Sequence, residues 1–294
     1  MSRKNVSCRV LLVLICWAAL VVPAFAQHFQ QVKGTLTQVA AGRNEVFGID
    51  SSSHVWRYKA TTKSFGKIAG ASLVHLAVGG GSLSQLDEIW GLDANSNIFR
   101  FNYTTKAFGV MVGALSQISV GIGNQDNCHP YEVWGINSGS EVFRFNYCTN
   151  VFDAASQGLL TQVATGGGDV WGLNSSGQIF HFNFATQSFV QVTGVLADIV
   201  VGVNDVWGIN GQDDLFRYDP NSGAFVAFAP SFLDVAAGGD GVWGIDFNNN
   251  LFRFDSSRES WVEITGSLTS IAVGSGAGVF GVNSSKQVFT FVRP

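Results

Sequence analysis

The chain has 294 residues, with 35 Gly, only 5 Pro, 46% hydrophobic and 13% charged residues, where globular domains usually carry about 25% charged. These proportions exclude disordered and collagen-like chains, and 17 Lys+Arg against 21 Asp+Glu, a net charge of −4, leaves no basic footprint for nucleic acid. Twenty-four Phe and eight Trp supply an ample core, and the glycine excess points to many tight turns rather than long helices, hence an all-β fold.

In chain order, the first segment stands apart. Arg3, Lys4 and Arg9 precede or flank the apolar run Val10 to Val22, and Ala24-Phe25-Ala26 fits a small-x-small cleavage site, so residues 1–26 read as a signal peptide cut before Gln27. An uncleaved anchor is the alternative, but thirteen apolar residues fall short of the roughly 20 a membrane span needs. No membrane insertion of the mature chain is expected, and the protein is read as secreted, extracellular or periplasmic. The leader carries three of the 17 basic residues and no acidic one, so 14 remain against 21, a net charge of −7. It also takes Cys8 and Cys16, leaving Cys128 and Cys148.

From residue 36 onward one unit recurs. Its anchor is aromatic-Gly-aliphatic-Asp/Asn: Phe47-Gly48-Ile49-Asp50, Trp90-Gly91-Leu92-Asp93, Trp134-Gly135-Ile136-Asn137, Trp171-Gly172-Leu173-Asn174, Trp207-Gly208-Ile209-Asn210, Trp243-Gly244-Ile245-Asp246 and Phe280-Gly281-Val282-Asn283. An alternating run such as Leu36 to Ala41 precedes each anchor. Nine residues after each leading aromatic comes a second aromatic (Trp56, Phe99, Phe143, Phe180, Phe216, Phe252, Phe289), with a third two residues beyond it; spacing two is the strand period. Phe65, Phe108, Phe152, Phe189, Phe225 and Trp261 then open a further strand in six copies. Each unit is therefore four short strands, and anchor spacings of 43, 44, 37, 36, 36 and 37 residues suit the four-stranded blade of a β-propeller.

The units run at about 36–71, 73–113, 115–158, 160–194, 196–230, 232–266 and 268–294. The seventh ends before a fourth strand, while Phe29 to Gly34 aligns with Phe189 to Gly194, a fourth strand of another unit. The expectation is one domain over 27–294: a seven-bladed propeller whose last blade is closed by the N-terminal strand at 28–34. An open stack of meanders is the alternative, and it leaves the displaced strand unexplained.

The hairpin between strands two and three has one length throughout, whereas the loop between strands one and two carries insertions around Gly79 to Glu88 and Gly121 to Glu132. A meander places the one-to-two and three-to-four loops on the same face, and variable loops on a rigid ring are where recognition resides. Cys128 and Cys148 both reach that face, and a disulfide between them is expected.

Copies such as Gly168 to Phe180 and Gly241 to Phe254 resemble tectonin repeats, those of tachylectin-1, fish egg lectins and the fungal and slime-mould tectonins, over essentially the whole mature chain. The resemblance implies a β-propeller lectin that binds lipopolysaccharide or other surface glycans. The best-known members resemble six-bladed rings, whereas seven copies are counted here.

The middle of strand three reads Arg57, Arg100, Arg144, His181, Arg217, Arg253 and Thr290. A repeated arginine is either a bidentate donor to sugar hydroxyls or lipid phosphates, or structural, through a pair with nearby Asp or Asn or through stacking between blades. Strand three ends in Asn102, Asn146, Asn183, Asp219 or Asp255; these, with His129, Tyr131, Arg100, Arg144, Arg217 and Arg253, are the candidate ligand contacts. Turn-forming Asn and Asp that bond their own backbone are the competing reading for the carboxylic and amide positions. The repeated Trp and Phe anchors read as inter-blade core. No His-Glu-x-x-His run, nucleophile elbow or phosphate loop is present, and no cofactor, metal or catalytic residue is implied. Asn102, Asn174 and Asn283 open N-x-S/T patterns that matter only in a eukaryotic host. The function expected is a secreted, non-catalytic, multivalent lectin; a protein-interaction scaffold is the second reading and a propeller glycan hydrolase the third.

Overall fold

Residues 27–81 and 85–293 are described by a computed structural model; the leader read at 1–26 lies outside the described residues. The period-two patterns of each unit become short antiparallel strands, 28 in all among the described residues, and no helix is found there. In blade 1 these are Gln38–Ala41, Val46–Ile49, His54–Lys59 and Ser64–Ser72. Strand pairing sorts the rest into six further meanders: blades 2 (75–114), 3 (117–159), 4 (162–195), 5 (198–228), 6 (234–267) and 7 (270–292), the last completed by His28–Thr35. First strands of successive blades lie side by side around the ring, and blade 7 returns to blade 1, where the Ser275 N–H donates to the Gly42 carbonyl at 2.8 Å.

The displaced strand behaves as its alignment requires. Phe29 sits opposite Phe291 and Val32 opposite Val288, just as Phe189 sits opposite Phe182 in blade 4. Single pairings, His28 with Thr265 and Lys33 with Ser64, tie it to the outer strands of blades 6 and 1. Closing the ring in this way leaves no interior edge strand free to recruit another chain.

The constant hairpin has one cause in every blade. The Asp or Asn ending strand two accepts backbone N–H groups two and four residues on, as Asp50 does from Ser52 and His54 and Asn137 from Gly139 and Glu141. The residue three on turns left-handed, from Ser53 (φ 62°) to Lys286 (φ 63°). A side chain that imitates the turn's own backbone sets the loop length.

The anchor glycines meet a different need. A Cβ on Gly91 would run into the Leu73 side chain and lie 3.0 Å from the His75 carbonyl; at Gly244 the crowding group is Phe232. The aliphatic or aromatic residue entering each blade thus seats directly on the strand-two backbone. The anchor aromatics of all seven blades are buried, and the five Trp are at 0% exposure. Each packs on a strand-three aromatic of the next blade, as in Trp90 on Phe145 (4.7 Å), Trp134 on Phe182 (4.7 Å) and Trp243 on Phe291 (4.7 Å between centroids). The core is therefore seven wedges between blades, as the regular spacing implied.

Cys128 and Cys148 form a disulfide, which pins the one-to-two loop of blade 3 to its three-to-four turn. The other long loop is pinned by hydrogen bonds: the Asp87 carboxylate accepts the backbone N–H groups of Arg43, Asn44 and Glu45 at 3.0, 2.7 and 2.8 Å, and the Tyr131 hydroxyl donates to the Leu86 carbonyl at 3.0 Å. The central channel narrows to a cavity of about 90 Å³ among glycine-rich first strands.

Candidate functional site: clefts between neighbouring blades

Strand geometry brings three side chains of each blade onto one face. Residues i and i+2 share a face of a strand, so the residue two before the anchor lies beside the anchor aromatic, and the strand pairing sets the central arginine opposite that aromatic, as Arg144 is opposite Trp134. In blade 3 the result is a closed ion pair. Glu132 Oε2 accepts the Trp134 indole N–H at 2.7 Å and Arg144 Nε at 2.8 Å, while Oε1 accepts Arg144 Nη2 at 2.6 Å. Glu132 is wholly buried and Arg144 is 6% exposed. Blade 2 repeats the arrangement with Glu88, Trp90 and Arg100 at 2.9, 2.9 and 2.7 Å.

The remaining blades vary this theme. Arg57 pairs with Glu45, His181 with Asp169 at 3.2 Å, and Arg217 with Asp205, 2.9 Å from its Nε. Asp is one methylene shorter than Glu, and in blades 4 and 5 the Trp171 and Trp207 indoles find no hydrogen-bond partner among the described residues. Each paired arginine also lies over aromatic faces, its own anchor and a residue of the next blade: Arg100 is 5.3 Å from Trp90 and 5.6 Å from Phe145, Arg217 5.4 Å from Trp207 and Phe254. The structural alternative weighed for the arginines thus describes Arg57, Arg100, Arg144 and Arg217, although the partners are the Glu or Asp twelve residues upstream. The twelve-residue interval was visible in the sequence; what hid it was that the position changes from Glu in blades 1 to 3 to Asp in blades 4 and 5 and Gly at 241 and 278.

The residues ending strand three cap their own turns. Asn102 Oδ1 accepts the N–H of Thr104 and Thr105, Asn183 Oδ1 those of Ala185 and Thr186, and Asn146 Oδ1 those of Cys148 and Thr149. Asp219 accepts from Asn221, and Asp255 from Ser257. His129 bonds Asp126 at 2.9 Å. Asp50, on the opposite hairpin, works against its own burial: hydrogen bonds from the Trp56 indole and from His54 and Ser52 hold its carboxyl down at about 2.

Four of the predicted contacts meet, two by two, at surface clefts. Arg100 and Asn102 line one of about 430 Å³ with Phe101, Gly109, Met111 and, from blade 3, Asn150. Arg253 and Asp255 line another of about 310 Å³ with Phe254, Val262, Ile264 and, ahead of the strand that completes blade 7, Gln27. The two clefts correspond in part: Arg, Phe and Asn/Asp come from strand three, two residues from strand four and an amide from the next blade, while Glu88 and Val110 line only the first and Arg258 only the second. Each mixes a cation, amides or carboxylates and apolar surface. His129 and Tyr131 line neither cleft. Among the described residues no group of three or more His, Cys, Asp or Glu could hold a metal ion, and no helix is long and apolar enough to cross a membrane.

Ring closure and four-stranded meanders define the chain as a β-propeller, and solved propellers match it over most of its length. The β-propeller domain of Myceliophteria thermophila Cps50 (Swd1) matches with a TM-score of 0.70 at 8% identity, covering 91% of this chain and 100% of that one. Human WBSCR16 matches at 0.66 and 10%, covering 90% and 88%, and YCF48, solved bound to D1 peptide, at 0.65 and 12%, covering 91% and 96%. At such identities the likeness is one of fold. The Tectonin domain model matches residues 35–219 and 159–293, so the chain belongs to the tectonin domain family. No curated protein sequence matches it significantly.

Proposed function

We propose that this protein is an exported, non-catalytic lectin that binds surface glycans or lipopolysaccharide through clefts repeated around the ring. The observation that carries the reading is the recurrence of a cleft, with Arg, Phe, Asn or Asp and a neighbouring amide at corresponding positions, between blades 2 and 3 and again between blades 6 and 7. Arg, Asn and Asp side chains there suit hydroxyl-rich ligands, and the Phe, Met, Val and Ile surface suits the apolar face of a pyranose. A small cleft binds one sugar weakly. Several rigidly spaced clefts meeting a repetitive surface raise avidity by about 10²–10⁴ without new contacts. The charged, apolar and small-residue pattern of residues 1–26, together with the Cys128–Cys148 disulfide, supports export to an oxidising compartment.

A glycan and lipopolysaccharide array probed with residues 27–294 tests this. Binding that soluble sugar competes away, with no release of reducing ends, is expected. A folded sample that binds no glycan overturns the lectin reading in favour of a protein-binding scaffold, and reducing-end release overturns the non-catalytic one.

A further inference from the structure

Blade 6 breaks the ion-pair rule on one side only. It keeps the anchor Trp243 and the arginine, Arg253, in the same pairing register as blade 3, but Gly241 stands where Glu45, Glu88, Glu132, Asp169 and Asp205 stand in blades 1 to 5. Blade 7, which also has Gly at this position, has Thr290 in place of the arginine, so only blade 6 retains the cation without its resident carboxylate. Arg253 Nε and the indole N–H of Trp243 have no hydrogen-bond partner among the described residues, and Trp243 is fully buried. A Cβ built on Gly241 would meet just these two atoms, at 3.7 and 3.9 Å. The neighbouring Asp240 does not substitute: its carboxylate accepts the Gly278 N–H at 3.0 Å and Arg293 Nη2 at 3.3 Å, both of blade 7. Asp255, in the same cleft as Arg253, is paired with Arg258 at 3.5 Å.

We propose that the cleft of blade 6 binds a carboxylate-bearing glycan, a uronic or other sugar acid, whose carboxylate takes the place that Glu132 fills in blade 3. The proposal rests on the lectin reading above for the sugar and on the ion-pair geometry for the acid. Blade 3 supplies the template: one oxygen accepting both the indole N–H and Nε, the other accepting Nη2. Arg and indole present the same donors in blade 6, and bidentate, charge-assisted bonds of this kind are strong and geometrically selective. Arg253 lines the cleft, whereas Gly241 and Trp243 lie behind it and both nitrogens are shielded from solvent, so a carboxylate reaches the place of Glu132 only by displacing the half-buried Arg253 side chain. The remaining six blades cannot do the same, because their own carboxylates hold the cation or no arginine is present.

The test is titration of the folded 27–294 chain with D-glucuronate, its methyl ester, acetate and neutral glucose, followed by the indole N–H resonances and by calorimetry, in wild type and in Arg253→Met and Arg253→Lys. Glucuronate is expected to bind at least tenfold more tightly than its ester or acetate and to shift one indole N–H. Arg253→Met is expected to lower that affinity at least tenfold, and Arg253→Lys several-fold. Equal binding of glucuronate and its ester, equal binding of acetate and glucuronate, or binding indifferent to Arg253→Met overturns the proposal. If the array finds neutral glycans and glucuronate fails, this proposal falls and the lectin reading stands. If glucuronate alone binds, and at Arg253, the proposal stands and the multivalent reading falls.

Discussion

Blades 3 and 6 share strand order, anchor tryptophan and central arginine, and differ at the residue two before the anchor. In blade 3 that residue is Glu132, which neutralises Arg144 and satisfies Trp134 in a site closed to water. In blade 6 it is Gly241, which has a left-handed φ of 110° and no side chain, and Arg253 Nε and the Trp243 indole are left without a hydrogen-bond partner among the described residues. One blade uses the arginine to hold itself together; the other leaves it available. A repeated residue can therefore be neutralised in most copies and left unpaired in one, with the neighbour deciding which.

The largest expected effect tests the closed side of this comparison. Glu132→Ala leaves the 6%-exposed Arg144 with only Asp126, 3.9 Å away and already bonded to His129, as a counter-charge and should cost about 3 kcal/mol of unfolding free energy, read from urea denaturation; a loss below about 1 kcal/mol would show that Arg144 is not held by the Glu132 pair. Next is the disulfide, also particular to blade 3. Cys148→Ser opens a loop closed over a 20-residue separation and should lower stability by about 3 kcal/mol on the chain-entropy model, while leaving glucuronate binding at blade 6 unchanged.

A third prediction concerns the blade 6 strand edge. Burial, and then the charge of Asp198, push the Asp234 carboxyl up from 3.8 to about 6. A carboxyl raised in the folded state binds protons more tightly there than in the unfolded chain. Its stabilising contribution is thus present at pH 4 and lost as pH rises to 6. Asp234→Asn should raise stability at pH 7.5 by roughly 1–3 kcal/mol and do nothing favourable at pH 4, measured as unfolding midpoints at the two pH values. The smallest effect is the sharpest contrast with Glu132. Arg253→Met removes a cation whose Nε has no hydrogen-bond partner among the described residues and should change stability by less than about 0.5 kcal/mol. A loss of several kcal/mol would mean that Arg253 is as structural as Arg144.

Much of this architecture was legible from spacing. The aromatic-Gly anchors, the invariant hairpin and the orphan strand at Phe29 are local patterns, and blades are local units, so the repeat count, the closure and the Cys128–Cys148 bridge could be read before any coordinates. The candidate contacts were legible only in part. Asn102, Asn146 and Asn183 occupy the anticipated face, yet their carbonyl oxygens are engaged by their own turns. The arginines point as the strand period demands, but their partners follow from the register between strands two and three. That Gly241 matters was invisible as a glycine in a glycine-rich chain and becomes visible only against Glu132 in the same place.

By itself the sequence determined what depends on near neighbours: strands from period-two alternation, turns from Asx side chains, blades from the recurrence of the anchor. Tertiary structure decided what depends on residues far apart in the chain meeting across a blade or between blades, namely which arginines are neutralised, which aromatics are wedged out of sight, and where Gln27 and Asn150 complete a cleft. The physical reason is that backbone geometry is set by short-range sterics and hydrogen bonding, whereas the availability of a charge is set by whatever the closed ring packs against it.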